Sequence, residues 1–490
     1  MSQQAAPRTT TGQWVGRFAG PAMAALVYFI PSGLHSIPGM GHRPAAAAAV
    51  AAWMAVWWFS EAIPMGWTAL LPLALFPALG VFGDGGVLTA VGRSAQPFVD
   101  PYIFLFMGGM ALGAALEQWG LHRRIALLIM RAIGTGPRRL LLGMLAATAA
   151  VSLWISNTAT AVMMVPIGMA LLAQLQAAEG RRLEHFGAAL MLAVAYGANV
   201  GGIGTKIGSP TNSVFAGVVS RRLGSDVGFL EYMVAALPFV LLFLPLAWAV
   251  LWRWGRRDAL GPGQGGDVIT RELAQLGPLS GGERVVGGVF LAAAVLWIFG
   301  DPLRALLAPV VARVFDGFTL AGKHYEAGVA MAGALVLLAV GRLSLAALRR
   351  VPWETLLLLG GGFALAAGIE ASGLSAWLIA RLSGLESMPA VAQHGVVATI
   401  TILLSAIASN TATVNVMLNV LPASRPLMAL STFAASCDFA LPAGTPPNAI
   451  VFGSGYVRLP VMMKMGVLLD VLAAVALTLY GLTWVRWVLP

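Results

Sequence analysis

One short polar motif occurs twice inside apolar stretches of the chain. It reads ISNTAT at Ile155–Thr160 and ASNTAT at Ala408–Thr413. Serine, asparagine and threonine side chains are costly in an apolar interior unless hydrogen bonds satisfy them. Their amide and hydroxyl groups can donate to an anion, and their oxygens can bind a hard cation such as Na⁺. A single copy would also suit an ordinary helix N-cap, but two copies favour a ligand site.

A second pair of segments is rich in glycine and proline. It consists of GANVGGIGTKIGSPTN at Gly197–Asn212 and LPAGTPPN at Leu441–Asn448. This composition cannot sustain a continuous helix, so backbone N–H and C=O groups become free there. Free N–H groups at a helix N-terminus suit a carboxylate, and free carbonyls suit Na⁺. Two such breaks that converge would bind a dianion better than a monoanion.

The two halves of the chain are related by an internal duplication. GGMALGAALE at Gly108–Glu117 matches GGFALAAGIE at Gly361–Glu370 in six of ten positions, at an offset of 253 residues. The Ser-Asn-Thr motifs share that offset, and GSPTN and GTPPN are 236 residues apart. Duplicated halves, usually of inverted topology, are typical of secondary transporters, whose binding sites lie at paired helix interruptions.

The composition is that of a polytopic membrane protein. Of 490 residues, 58% are hydrophobic and 10% are charged, where a soluble domain has about 25%. Apolar runs such as Leu230–Trp254 are long enough to cross a bilayer as helices. The net charge of +10 comes from short arginine clusters between these runs, for example Arg123-Arg124. Such clusters set membrane topology, so we expect no nucleic-acid partner.

Enzymatic function is disfavoured by the residues that are missing from the sequence. Neither HExxH nor GxSxG occurs, and the single cysteine excludes an intrachain disulfide and a cysteine-based metal site. We therefore expect no enzyme and no transition-metal site.

A polar, glycine-rich stretch divides the apolar pattern and defines the expected organisation. We expect an N-terminal tail with the first scaffold helices at 1–100, repeat 1 at 101–254, a polar linker at 255–284 and repeat 2 at 285–490. Each repeat contains one Ser-Asn-Thr motif and one Gly/Pro-rich break.

The doubled Ser-Asn-Thr motif, the GSPTN/GTPPN pair and WWFSEAIPMGWTALLPLALFPALGV at Trp57–Val81 resemble the divalent anion/sodium symporter family of INDY-like dicarboxylate and citrate carriers. The resemblance implies an all-α protein of inverted repeats with about eleven transmembrane helices. It further implies two re-entrant hairpins with Ser-Asn-Thr tips, a scaffold domain, a transport domain that moves as an elevator, and a homodimer.

The resemblance also implies the site residues. The substrate carboxylates would be bound by Ser156, Asn157, Thr158, Ser409, Asn410, Thr411, Thr445 and Pro446. One sodium ion would be bound by Ser152, Ser156, Asn157 and Gly201, and another by Ser405, Ala408, Asn410 and Gly444. Na⁺ is the only ion expected, with no other cofactor.

The chain departs from the family pattern at a few positions. It has Ser405-Ala406 where Thr-Glu is common, Asn199 where serine is common, and the charged residues Lys206 and Asp438 at positions that are usually neutral. Intramembrane charges are functional candidates. Lys206 could replace a coupling cation, and Asp438 could pair with Lys206 or exchange a proton. Alternatively, Lys206 extends to a loop end and Asp438 caps a helix.

The expected function is therefore secondary active transport of small divalent anions across the inner (plasma) membrane. We favour sodium-coupled uptake of C4-dicarboxylates such as succinate, malate or fumarate by an elevator mechanism. A sodium-independent dicarboxylate or citrate exchanger is the alternative, with a membrane-embedded enzyme as a remote third. The residues leave open the identity of the dianion, the coupling ion and the direction of transport.

Overall fold

The computed structural model describes residues 11–30, 33–83, 85–260, 266–381 and 383–490. This described part is helical and contains no strand, as the all-α prediction required. Residues 1–10 of the predicted tail and 261–265 of the predicted linker lie outside it.

The helices of the described residues are numbered here in chain order, beginning with those of the first half. They are α1 Thr11–Phe29, α2 Arg43–Ser60, α3 Leu71–Ala78, α4 Gly86–Ala95, α5 Pro101–Gln118, α6 Leu121–Ile133, α7 Pro137–Ser152, α8 Asn157–Glu179, α9 Glu184–Gly202, α10 Pro210–Leu223 and α11 Phe229–Gly255. The second half continues with α12 Gly266–Leu276, α13 Gly281–Ile298, α14 Gly300–Val314, α15 Gly322–Ala339, α16 Glu354–Ala371, α17 Leu374–Arg381, α18 Ala390–Ile407, α19 Asn410–Val420, α20 Arg425–Ala435, α21 Pro446–Gly453 and α22 Leu459–Tyr480. Shorter helical segments lie at Leu34–Ser36, Met65–Thr68, Gln96–Val99, Arg256–Asp258, Leu345–Leu348, Ser383–Glu386, Gly481–Val485 and Arg486–Val488.

Seven helical segments of the described residues are long and apolar enough to cross a membrane. They are Gly86–Gln118, Asn157–Glu179, Phe229–Asp258, Gly281–Ile298, Glu354–Ala371, Ala390–Ile407 and Leu459–Val488. The chain is therefore a multi-pass membrane protein. The count of eleven spans stays a prediction, because several buried helices are shorter or interrupted.

The chain forms two compact units that interleave along the sequence. The first contains the described residues of Met1–Asp100, Pro352–Ser387 and Thr411–Pro422, and the second contains the others. In the first unit, the alanine-rich face of α2 packs with α3 and α16 around the fully buried side chains of Trp58 and Phe76.

The second unit is built around α9. Every residue of α9 from Phe186 to Gly202 is buried, as expected of a helix with neighbours on all sides. It packs against α7, α8, α11 and α21, and the Tyr196 hydroxyl donates to the Phe439 carbonyl at 3.1 Å. The C-terminal end of this central helix leads into the first Gly/Pro-rich break. The break therefore lies inside the second unit.

The described part of the polar segment 255–284 contains the helix α12. Its C-terminal end is held by Arg124, which donates to the carbonyls of Leu276 and Gly277 at 3.1 and 2.8 Å. The same guanidinium pairs with Glu283 at 2.7 Å. The predicted domain boundaries remain predictions.

Candidate functional site

The first Ser-Asn-Thr motif forms a break between two helices. Helix α7 ends at Ser152 and α8 begins at Asn157, with Ser156 as its N-cap accepting from the Ala159 N–H at 3.3 Å. The Ser152 hydroxyl lies 2.9 Å from Asn157 Oδ1 and 2.8 Å from the Ala198 carbonyl of α9. The break is thus fixed to the central helix by one serine.

The second motif repeats this arrangement. Helix α18 ends at Ile407, and α19 begins at Asn410. The Ser405 hydroxyl lies 3.0 Å from Asn410 Oδ1 and 2.6 Å from the Ala435 carbonyl of α20. Each repeat therefore joins a serine hydroxyl, the motif asparagine and a carbonyl from the last turns of a neighbouring helix.

In each repeat the serine hydroxyl has more acceptors within reach than hydrogens to donate. A serine hydroxyl has one hydrogen to donate, yet two oxygens lie within 3.0 Å of it in each repeat. One oxygen in each group therefore keeps lone pairs for another partner. Carbonyl, amide and hydroxyl oxygens are the ligands that hard cations prefer in proteins.

The first Gly/Pro-rich break separates α9 from α10. It is closed by Asn212, whose amide Nδ2 donates to the Gly202 carbonyl at 2.7 Å and the Thr205 carbonyl at 2.6 Å. The Thr205 hydroxyl in turn donates to the Leu153 carbonyl at 2.5 Å. The break is thus tied to the segment between α7 and α8.

The second break separates α20 from α21 and uses the equivalent atoms. Asn448 Nδ2 donates to the carbonyls of Asp438 and Leu441 at 3.1 and 3.0 Å. At the offset of 236 residues, these positions are the counterparts of Asn212, Gly202 and Thr205. The repeat prediction therefore extends to individual hydrogen bonds.

The two Gly/Pro-rich breaks touch each other. Asn199 Nδ2 on α9 donates to Thr445 Oγ1 at 3.1 Å and Asn448 Oδ1 at 3.3 Å. Thr445 is the N-cap of α21 and accepts the Asn448 N–H at 3.2 Å. The convergence of the two breaks that the sequence predicted is present within the second unit.

Three backbone oxygens lie close together beside Gly208 in the first repeat. A β-carbon placed on Gly208 would lie 2.7 Å from the Gly202 carbonyl oxygen, 2.9 Å from that of Leu153 and 3.0 Å from that of Ser152. Only a residue without a side chain leaves this space free, and such a cradle of carbonyls fits a small cation.

The sequence prediction missed Gly208, Leu153 and Gly202 as members of this cradle. It had selected Gly201, where a β-carbon would lie 2.3 Å from the Ala149 carbonyl oxygen, so glycine is needed there for helix packing. Gly444 had been selected in the other repeat. Shifting it back by 236 residues gives Gly208, a signal present in the sequence.

The other predicted residues differ in accessibility. Ser156, Asn157, Ser409 and Asn410 are half-buried, and Thr158 and Pro446 are exposed. Ala408 is buried in the break between α18 and α19, whereas Thr445 and Gly444 are buried beside α21. Thr411 is half-buried and belongs to the first unit. The polar motif groups are therefore only partly enclosed.

Lys206 is fully buried in an ion pair. Its ammonium lies 2.9 and 2.7 Å from the two carboxylate oxygens of Glu326 on α15, and it also donates to the Val227 carbonyl. The ring of Tyr102 lies 5.5 Å away. The predicted pairing with Asp438 and the alternative of extension to a loop end are both wrong, because Glu326 neutralises this lysine inside the unit.

Asp438 is also fully buried, and neither of its carboxylate oxygens has a hydrogen-bond partner among the described residues. The alternative that this side chain caps a helix is therefore wrong. Its backbone carbonyl accepts a hydrogen bond from the Asn448 amide.

Comparison with known proteins assigns this chain to a family. Residues 11–489 match the model of the sodium:sulfate symporter transmembrane region. The sodium-dependent dicarboxylate transporter SdcS of Staphylococcus saprophyticus is 33% identical, over 96% of this chain and 90% of that protein. SdcS of Staphylococcus aureus MRSA252 is also 33% identical, over 96% of this chain and 91% of its own length.

A solved structure supports the fold. The YdaH transporter of Alcanivorax borkumensis superposes with a TM-score of 0.54 at 15% identity, covering 86% of this chain and 96% of that one. At this identity the similarity concerns the fold alone. The protein is a multi-pass transporter of the plasma membrane and not an enzyme. With its family model matched from residue 11 to residue 489, the chain belongs to the sodium:sulfate symporter family.

Proposed function

We propose that this protein is a secondary active transporter of small dianions, specifically C4-dicarboxylates such as succinate, malate or fumarate, and that Na⁺ drives uptake. The observation that carries the proposal is the doubled group of serine hydroxyl, motif asparagine and helix-end carbonyl at two breaks of related sequence. The SdcS relatives, which are named as sodium-dependent dicarboxylate transporters, support the same substrate and ion.

The anion would be bound by the helix N-termini. Helices α8 and α21 begin within the breaks, at Asn157 and after Thr445, and their first N–H groups carry partial positive charge. Ser156 and Asn157 in one repeat, and Ser409 and Asn410 in the other, add hydroxyl and amide groups that are half-buried. Two such groups suit two carboxylates.

The cation would be bound on the oxygen-rich side of each break. In repeat 1 we assign Ser152, Leu153 and Gly202 carbonyls together with Asn157, and in repeat 2 the segment of Ser405, Ala408, Asn410 and Gly444. Na⁺ and dianion would then share the motif asparagine of each repeat. This shared ligand couples the two affinities, since a bound cation positions the amide that the anion contacts.

The sodium-independent exchanger loses its main support in this structure. That alternative required the Lys206 ammonium to replace a coupling cation, but Glu326 pairs with this ammonium, so the pair is neutral overall. We therefore retain sodium coupling, with an elevator movement and a homodimer as further parts of the proposal.

The test is uptake of labelled succinate into proteoliposomes with an inward gradient of Na⁺ or choline. We expect uptake only with Na⁺, inhibition by malate and fumarate, and none by a monocarboxylate of similar size. Uptake that ignores Na⁺ but requires internal dicarboxylate would replace this proposal with exchange. Light scattering of the purified protein checks the dimer, which predicts twice the chain mass of 51.0 kDa.

A further inference from the structure

The carboxylate of Asp438 is buried without an ion-pair partner among the residues that the structure describes. The residue is 0% exposed, and neither carboxylate oxygen accepts a hydrogen bond from another residue of the described chain. Burying an ionised carboxylate without a partner is very costly. A residue of this kind therefore needs a positive ligand or a proton when the protein is folded.

The titratable groups that the structure describes close to Asp438 carry no positive charge. Asp470 on α22 accepts the Phe439 N–H at 2.8 Å, so a second acid lies close to Asp438. The neighbouring Cys437 is a buried thiol. Lys206 is fully engaged by Glu326, and among the described residues no ion pair involves Asp438. The surroundings of this carboxylate thus attract a cation.

The carboxylate points into the space beside Gly444. A β-carbon placed on Gly444 would lie 2.3 Å from Asp438 Oδ2 and 3.4 Å from the Cα of Ala406. Ala406 directly follows Ser405, whose hydroxyl contacts Asn410. The charged oxygen therefore lies in the region where the second cation is proposed to bind.

The repeat supplies an independent comparison. Gly208 and Gly202 of the first repeat correspond to Gly444 and Asp438 of the second. The space beside Gly208 is lined by carbonyl oxygens, including that of Gly202, whereas the atom closest to the space beside Gly444 is a carboxylate oxygen. The same place in the fold thus has neutral oxygens in one repeat and an acidic side chain in the other.

We propose that Asp438 Oδ2 is a direct, negatively charged ligand of the alkali cation at the second break. This inference rests on the proposed sodium-coupled function and adds one residue to it. A carboxylate is a hard ligand suited to Na⁺, and the bound ion would neutralise the acid. The two proposed cation sites of this protein then differ in charge, and the site in the second repeat has the higher affinity for Na⁺.

The test measures Na⁺ binding without transport. Purified full-length protein in detergent is titrated with NaCl at constant ionic strength, with choline chloride as balance and no dicarboxylate, and thermal unfolding is recorded. Bound Na⁺ raises the unfolding midpoint as its concentration exceeds the dissociation constant. We expect Asp438→Asn, which keeps the side-chain shape, to require at least about tenfold more Na⁺ for the same rise.

A second pair of variants separates ligation from general destabilisation. Gly444→Ala places a methyl group against Asp438 Oδ2, and we expect a similar loss of Na⁺ response. Gly453→Ala, at the end of the helix α21 that follows Gly444, meets no atom within 4 Å and should keep the wild-type response. Asp470→Asn removes the neighbouring acid and should weaken Na⁺ binding less than Asp438→Asn does.

The outcomes are distinguishable. A wild-type protein without any Na⁺ response would refute sodium coupling, and the assignment of Asp438 with it. A clear wild-type response that persists within twofold in both Asp438→Asn and Gly444→Ala would overturn the assignment of Asp438 alone. If Asp438→Asn does not fold, the comparison of Gly444→Ala with Gly453→Ala decides.

Discussion

The buried pair of Lys206 and Glu326 makes a prediction that the structure allows to be worked out in energy terms. All three hydrogens of the ammonium have acceptors: the two Glu326 oxygens at 2.9 and 2.7 Å and the Val227 carbonyl. At an effective dielectric constant of about 20, charges roughly 2.8 Å apart attract by roughly 6 kcal/mol. Desolvation of two groups that are 0% and 5% exposed offsets much of this attraction.

Replacing only Lys206 or only Glu326 should therefore lower the free energy of unfolding more than replacing both. Lys206→Met leaves the Glu326 carboxylate buried without a cation, and we expect a loss of about 3–5 kcal/mol in the free energy of unfolding. Glu326→Gln leaves the ammonium and should cost a comparable amount. The double variant Lys206→Met/Glu326→Leu buries no charge and should lie within about 2 kcal/mol of wild type.

The assay is thermal unfolding of the four proteins in one detergent, followed by sodium-driven succinate uptake of those that fold. Lys323→Met serves as a control, because Lys323 is partly exposed and lies 3.6 Å from Asp226. We expect this variant to lose at most about 1 kcal/mol in the free energy of unfolding. Uptake by the double variant should keep its dependence on Na⁺. Single variants as stable as wild type, or a double variant whose uptake no longer needs Na⁺, would refute the structural role of this pair.

Three further predictions concern the motifs and the linker. Asn157→Ala and Asn410→Ala should each lower succinate uptake more than about tenfold at a nearly unchanged unfolding midpoint, because each removes the amide proposed to bind both ligands. Wild-type uptake in either variant would remove that residue from the site. Gly208→Ala should weaken the stabilisation by Na⁺, because its methyl group fills the carbonyl cradle. The control Gly328→Ala, whose methyl group meets no atom within 4 Å, should not. Equal Na⁺ titrations of the two variants would contradict Na⁺ binding at this cradle. Arg124→Ala frees the C-terminal end of α12 and removes the ion-pair partner of Glu283. Limited proteolysis should therefore cut the segment 255–284 faster than in wild type, and unchanged cleavage would argue against this anchor.

The breaks in the helices could be predicted because their cause is local. Clustered glycine and proline residues favour an interruption of a helix, and a duplicated pattern marks the same interruption twice. The repeated Ser-Asn-Thr motif likewise predicted two interruptions, and in the structure α8 and α19 begin at Asn157 and Asn410. The sequence also indicated that the GSPTN and GTPPN segments meet, because a shared site is the physical reason for paired interruptions.

The partner of Lys206 could not be predicted, because its cause is not local. Glu326 lies 120 residues further along the chain, near the start of a helix, where an acidic residue is ordinary. Only the packing of α15 places it against the first break. Without that knowledge, Asp438 is the natural candidate, since Lys206 lies in the first broken segment and Asp438 shortly before the second. Charge pairs across long separations depend on tertiary structure, and a single sequence does not encode them visibly.

The contrast between Gly202 and Asp438 shows how a duplicated scaffold can yield unequal sites. Both positions use their carbonyl to close a break through an asparagine amide, so the hydrogen-bond framework of the two repeats is conserved in geometry. A side chain at position 202 is prevented, because a β-carbon there would lie 2.1 Å from Asn157 Oδ1. If the carboxylate of Asp438 binds the cation as proposed, the second break attracts Na⁺ more strongly than the first at low Na⁺ concentration. Na⁺ would then bind first in repeat 2 and fix Asn410 before the anion arrives. This order predicts that Asp438→Asn also weakens succinate binding at low Na⁺ concentration but not at saturating Na⁺.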